Sequence, residues 1–350
     1  MPLQSLRSDL VPDNRKAVLM PLVSVVLPCF RAGRYLRDAI DSVRSQTLPD
    51  WELVLVDNNA AEDLEPLRVD ERIRIVREPR QGIGWARNAG VEASRGKYVA
   101  FLDEDDLWHP SKLEKQVAAL EAHPGAEVCH TGLDGIDASD NVMIERELRP
   151  VGYSDMLGDR GILQTSALMV TRSLLLGVGC YDPTFRYAQD FDLGLRLLYF
   201  TEALYIEERL ARYRFHSGNL SHGYWYQGHE ALRSLAEHRK LAFLEHRWSH
   251  WLAACRGTAT IRHGYSRNAL ARAKRVWQAD GPARETALHL ARAIGFSPVS
   301  PAIALAIAAT RRGPKDVWPS VDSWHPVTAP EVGARGEREP ATAQGGQRTD

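Results

Sequence analysis

Tyr98-Val99-Ala100-Phe101-Leu102-Asp103-Glu104-Asp105-Asp106 (YVAFLDEDD, residues 98–106) runs an unbroken apolar stretch straight into four carboxylates. The apolar stretch has the length of a strand, and its lack of polar alternation means that both of its faces are covered. Four adjacent carboxylates repel one another, and a bound cation relieves that repulsion. A hard ion such as Mg²⁺ or Mn²⁺ takes oxygen ligands, typically one or two carboxylates together with substrate phosphates. The competing reading is an exposed acidic turn leading into the next helix, whose N-terminus favours negative charge.

Upstream, Val23 to Leu27, Leu53 to Val56 and Ile73 to Val76 are short apolar, β-branched runs of the same kind. Leu36, Ile40 and Val43 recur at helical spacing between the first two, and Ala86, Ala89, Gly90 and Ala93 line a helix just before Tyr98. Alternating strands and helices predict an α/β fold with a mostly parallel sheet flanked by helices. Ligands of such sheets lie at the carboxyl ends of the strands. Pro28-Cys29, Asp57-Asn58-Asn59 and Asp103 to Asp106 follow three strands directly, so all three sets are expected on one edge. Downstream, Leu113, Val117 and Leu120 mark a helix, Val128 to Thr131 and Leu163 to Val170 read as strands, Phe191, Leu195 and Leu198 as helix, and Tyr205 to Glu207 and Arg212 to Phe215 as extended.

Three further motifs carry polar chemistry. Gln81-Gly82-Ile83-Gly84 opens the helix that bears Arg87, and glycines before a helix let a phosphate approach its N-terminus. Asp190 and Asp192, in Tyr187-Ala188-Gln189-Asp190-Phe191-Asp192, open another helix; one is expected to cap it and Asp190 is a candidate general base. His216, at the end of Tyr213-Arg214-Phe215-His216, is a candidate metal ligand or phosphate contact, or a structural histidine.

The chain has 350 residues, 44% hydrophobic and 25% charged, with a net charge of -1. That composition is ordinary for a globular protein, and the charge argues against nucleic acid as a partner. Residues 228–312 hold 14 Lys+Arg against 5 Asp+Glu, whereas residues 313–350 hold 4 against 6, so the part before residue 228 carries a net -8. The basic stretch reads either as a solvated helical face or as a contact for an anionic acceptor or membrane surface. The expected organisation is a flexible leader over 1–20, a catalytic domain over 21–227, a basic helical C-terminal segment over 228–312 and a disordered tail over 313–350. The four cysteines have no metal-ligand spacing and read as reduced thiols of a cytoplasmic protein, peripheral to the membrane at most. No apolar stretch approaches the ~20 residues of a membrane-spanning helix.

In this order the motifs resemble the family 2 glycosyltransferases of the GT-A fold. The similarity runs from about Leu22 to Ser221: the opening strand, Pro turn, helix and second strand ending in Asp57; the Ala86-Arg87-Asn88 helix before an Asp-x-Asp pair; the segment around Asp190; and the closing Tyr-Arg-Phe-His. The resemblance implies a nucleotide-binding GT-A fold and inverting, metal-dependent transfer of a sugar from a nucleotide-diphosphate sugar, most often a UDP-sugar, to an acceptor hydroxyl. It implies Mn²⁺ or Mg²⁺ at Asp103 and Asp105 with His216, and contacts to the nucleotide sugar from Pro28, Cys29, Asp57, Arg87 and Asp103. It makes Asp190 the catalytic base and a saccharide or lipid-linked saccharide the acceptor. The sequence departs from the family at Asn58-Asn59-Ala60, at Arg31 and at Gln189. Two rivals stand beside this reading: a sugar nucleotidyltransferase, which would show a Gly-rich basic loop after the first strand, and an inactive nucleotide-sugar-binding protein on the same fold.

Overall fold

The computed structural model describes residues 20–296, apart from short segments at 31–32, 61–62, 147–148, 217–218, 220–223 and 280–281. The leader expected over 1–20 (Met20 excepted), the tail over 313–350, the last part of the basic segment and Arg31 lie outside the described residues. The first half contains β1 (Val23–Cys29), α1 (Arg34–Arg44), β2 (Trp51–Asp57), β3 (Ile73–Arg77), α2 (Ile83–Ala93), β4 (Tyr98–Phe101), β5 (Leu107–Trp108), α3 (Lys112–Ala122), β6 (Val128–Ile136) and β7 (Val142–Arg146). The second half contains α4 (Tyr153–Leu157), β8 (Leu168–Thr171), α5 (Arg172–Gly177), α6 (Gln189–Phe200), β9 (Ala203–Arg214), α7 (Tyr224–Leu244), α8 (Trp248–Gln278) and α9 (Ala283–Phe296).

One mixed sheet forms the centre, in the order β3-β2-β1-β4-β8-β6-β9-β5, with β7 paired to β6. β3, β2, β1 and β4 are mutually parallel. β8 runs antiparallel to both β4 and β6, β9 parallel to β6, and β5 antiparallel to β9. The parallel strands are apolar throughout because each face has its own cover. Val25 and Leu27 of β1 and Leu53 and Leu55 of β2 share one core with Leu36, Ile40 and Val43 of α1 and Leu113 of α3. Val26, Val54 and Val56 share the other with Ala86 and Val91 of α2. The small residues of α2 let it lie close to the sheet: a Cβ at Gly90 would stand 2.3 Å from Val26 Cγ1.

The segment read as one strand over Leu163 to Val170 is a 3-10 turn at Thr165–Ala167 followed by β8. The two extended stretches near Tyr205 and Arg212 are a single twelve-residue strand, β9, whose register against β6 shifts around Gly132. The C-terminal helices join the body rather than standing apart. Ala231, Leu235, Ala254 and Ile261 belong to the same buried cluster as Val26 and Phe191. α8 meets α4 so tightly that a Cβ at Gly257 would lie 2.0 Å from the Leu157 carbonyl oxygen. Among the described residues no helix is long and apolar enough to cross a membrane.

Candidate active site

The carboxyl ends of β2, β1 and β4 lie side by side, and they bring the expected polar sets to one edge. Cys29 pairs in register with Asp57, and the Leu102 N–H donates to Val26 O, which places Asp103 beside the end of β1. Cys29 is fully buried. Asp57 keeps part of its surface accessible, and its Oδ1 accepts the Ala60 N–H at 2.9 Å. Asn58 is buried and works as a clamp. Its side-chain amide donates to the carbonyls of Glu78 and Arg80, both at 2.8 Å, and its oxygen accepts the Gly82 N–H at 3.0 Å. The Asn58 departure from the family pattern thus ties the end of β2 to the loop that opens α2.

Each of the four carboxylates after β4 has its own partner. Asp103 Oδ1 accepts from Arg87 Nη2 at 2.6 Å. Glu104 Oε2 accepts the Phe30 N–H at 3.3 Å. Asp105 Oδ2 lies 2.7 Å from His216 Nε2. Asp106, 1% exposed, accepts the Ser166 hydroxyl at 2.5 Å and the Arg214 N–H at 3.0 Å. Burial, and then Asp105 and Asp103, push the Asp106 carboxyl well above the usual carboxylate range. Protein partners meet each carboxylate, yet Asp106 still feels Asp105 and Asp103, so the repulsion argument for a cation narrows to Asp105 and its neighbours.

Long-range pairing brings His216 to Asp105. β5 follows Asp106 immediately and pairs with β9 through Leu107↔Arg212 and Trp108↔Ala211, so the end of β9 arrives over the acidic turn. Arg214 holds the junction: Nε donates to Asp105 O at 2.9 Å, the guanidinium pairs with Asp140, and it lies 4.3 Å from the centre of the Tyr35 ring. His216 lies against the same ring, 5.5 Å between centroids. Among the described residues no three His, Cys, Asp or Glu side chains gather to hold a metal ion unaided. Asp105 and His216 nonetheless fit one: a carboxylate and an imidazole, both 22% exposed, supply two ligands and leave the remaining positions for phosphate oxygens and water.

Arg87 is 3% exposed, one residue beyond the first turn of α2, with its guanidinium 5.0 Å from the centre of the Tyr181 ring. Burial opposes its charge, but Asp103 and Tyr181 outweigh that and hold it firmly protonated. Next to it, Asn88 grips the chain on the far side: Nδ2 donates to Tyr181 O at 2.8 Å and Oδ1 accepts the Tyr181 N–H at 2.9 Å.

Asp190 lies in the first turn of α6, where its Oδ1 accepts the Phe191 N–H at 2.8 Å. It keeps an accessible edge, yet the surrounding protein desolvates the carboxyl and pushes it up to about 6 against the pull of Arg87. Neither aspartate of this motif caps α6; the N-cap position is Ala188 and has no side-chain hydrogen bond. Asp192 is instead buried, with Oδ2 accepting from Arg196 at 2.7 and 2.9 Å and Oδ1 from Ser234 of α7 at 2.8 Å. Sequence reasoning missed Ser166 and Glu230 of α7, and it gave Asn58 and Arg214 no role of their own. Arg214 had a signal, since it stands in the same short motif as His216; the others act on partners that spacing does not reveal.

Comparison with known proteins follows the same lines. Residues 24–166 match the family described as "Glycosyl transferase family 2". A protein of Bacillus subtilis (strain 168) named "Putative teichuronic acid biosynthesis glycosyltransferase TuaG" is 31% identical over 238 residues, 65% of this chain and 92% of that one. A glycosyltransferase of Rickettsia prowazekii (strain Madrid E) that has no assigned role is 24% identical over 238 residues, 65% of this chain and 72% of its own. Among solved structures, S. aureus TarS 1-349 in complex with UDP-GlcNAc superposes with a TM-score of 0.52 at 15% identity, covering 61% of this chain and 66% of that one, a likeness of fold.

Proposed function

The chain belongs to glycosyl transferase family 2 and has a GT-A type fold, and from that premise we propose that it transfers a sugar, with inversion, from a UDP-sugar to a saccharide or lipid-linked saccharide hydroxyl in cell-envelope polysaccharide synthesis. The observation that carries this reading is a partly accessible, desolvated Asp190 within electrostatic reach of Arg87 and Asp103, the latter at the carboxyl end of β4, with the Asp105–His216 pair two residues further along the same turn. Family membership argues against the nucleotidyltransferase alternative, and the presence of Asp103, Asp105 and Asp190 together argues against an inactive scaffold on the same fold.

In this reading Asp57 receives the N–H edge of the base, while Pro28 and Cys29, buried in β1, support that edge from beneath rather than touch the base. Arg87 holds Asp103 toward the sugar-nucleotide and supplies fixed positive charge below it. Asp105 and His216, with Asp103 adjacent, would hold Mn²⁺ or Mg²⁺, which when bound offsets the negative charge of the diphosphate leaving group. Asp190 accepts the proton of the acceptor hydroxyl as its oxygen bonds to the anomeric carbon and the carbon–diphosphate oxygen bond breaks on the opposite face. A carboxyl held near 6 is ionised at neutral pH and still basic enough for that role.

The C-terminal helices add a place for the acceptor. Phe243, Leu244, Trp248 and Leu252 are exposed around the turn from α7 to α8, within the segment whose basic excess was noted above. Apolar side chains beside basic ones suit the surface of an anionic membrane, so the protein is proposed to lie at the cytoplasmic face, where a lipid-linked acceptor would be presented. The test of the donor assignment is calorimetric titration with UDP, dTDP and GDP in Mn²⁺ and in EDTA. UDP binding that weakens in EDTA supports it; preference for another nucleotide, or indifference to the metal, overturns it.

A further inference from the structure

We infer that α7 is a positioning element for the reaction: Glu230 and Ser234, on one face of the helix, hold the segment 184–192 in the geometry from which Asp190 meets the acceptor. This rests on the reading of Asp190 as general base.

The contacts are specific. Glu230 Oε2 accepts the N–H groups of three consecutive residues, Arg186 at 3.0, Tyr187 at 2.6 and Ala188 at 2.9 Å, and Oε1 accepts Arg186 again at 2.9 Å. Successive N–H groups converging on one point form an anion-binding concavity. Here the anion comes from the chain itself, across 42 to 44 residues of sequence. One turn further along α7, Ser234 donates to Asp192, two residues beyond Asp190. One more turn brings His238, whose Nδ1 lies 2.9 Å from Tyr153 Oη. The three residues follow i, i+4 and i+8 spacing and so share a face. Arg233 flanks them, donating to Thr184 Oγ1 at 2.8 Å and lying 3.7 Å from the centre of the Phe185 ring.

Asp190 therefore sits between anchors. Asn88 fixes the segment at Tyr181, Glu230 fixes it at 186–188, and Ser234 fixes it again at Asp192. The acidic Glu230 on a segment with a net basic excess makes sense as the counterpart of these amides. Charge-assisted hydrogen bonds of this kind are stronger than neutral ones, and a misplacement of about 1 Å costs on the order of 10²-fold in rate.

The experiment uses the full chain with Glu230→Gln, which keeps the size of the side chain but sets an amide against the N–H donors. Amide exchange over 185–192 and carboxyl ¹³C titration of Asp190, assigned by its loss in Asp190→Asn, are measured with near-ultraviolet circular dichroism as the check on folding. The expected result is faster exchange at 186–188 and an Asp190 midpoint that falls from near 6 toward the ordinary carboxylate range as water enters. A purely structural contact would lower thermal stability and leave the midpoint in place. An unchanged midpoint with unchanged exchange overturns the inference. If Glu230→Gln does not fold, Ser234→Ala is read by the same titration, with a shift in the same direction expected and no shift overturning the proposal. Wild-type turnover in Asp190→Asn would instead refute the general-base reading, while the titration still judges the clamp on its own.

Discussion

Removing the charge of Asp190 has a consequence for stability that can be worked from its surroundings. Its carboxyl is raised from 3.8 to about 6 on folding, chiefly by burial. The folded chain thus binds a proton more tightly than the unfolded one, and stability falls as pH rises between these two values and is level above them. At 1.36 kcal/mol per unit, the penalty carried at pH 7 is about 3 kcal/mol. Asp190→Asn has no charge to bury and escapes it. The difference in unfolding free energy between Asp190→Asn and wild type, measured by urea titration at pH 4 and pH 7, should grow by about 2.4 kcal/mol in favour of the variant, because the unfolded carboxyl is already partly ionised at pH 4. Turnover of the wild type should follow the same group in the opposite sense, falling about tenfold per unit below pH 6 as the base is protonated. A variant whose stability tracks wild type across this range, or an acidic limb of the rate profile centred near 4, would refute the claim that Asp190 is a desolvated base.

Two further predictions follow from the neighbouring residues. Asp105→Ala should weaken UDP binding in Mn²⁺ and bring it to the value found in EDTA, because it removes the carboxylate beside His216; calorimetry reads this directly. Asp192→Asn should destabilise the fold by about 2–3 kcal/mol, since it leaves Arg196 without its buried counter-ion, while UDP affinity by calorimetry stays at the wild-type value.

The strand-and-helix alternation from β1 to β4 was legible because those strands are buried on both faces and their composition reports it. Placement of Asp57 and Asp103 on one edge followed from topology alone, since each stands where a parallel strand ends. The second half was harder. β5 is two residues long and gives no periodic signal, yet its pairing with β9 is what brings His216 to Asp105. The expected helix cap at Asp190 or Asp192 failed because α6 already begins at Gln189, so both lie inside it; the Asp192 carboxylate goes to Arg196 one turn on in the same helix and to Ser234 of α7. The acidic run after β4 looked like mutual repulsion in one dimension; in three dimensions Arg87, the Phe30 N–H, His216 and Ser166 each meet one of its members, while Asp106 still feels Asp105 and Asp103. Glu230 and Asn58 bind backbone groups, which carry no sequence identity, so no motif announces them.

We propose that this chain carries out glycosyl transfer with Asp190 as its base. It is tested most directly by release of UDP from a panel of UDP-sugars in Mn²⁺, with saccharide and lipid-linked acceptors, for wild type and Asp190→Asn in parallel. Acceptor-stimulated release by the wild type from at least one donor is expected, with a loss of about 10²–10⁴-fold in Asp190→Asn and UDP affinity unchanged. Release by Asp190→Asn at the wild-type rate, or acceptor-stimulated release from dTDP- or GDP-sugars but from no UDP-sugar, would contradict it.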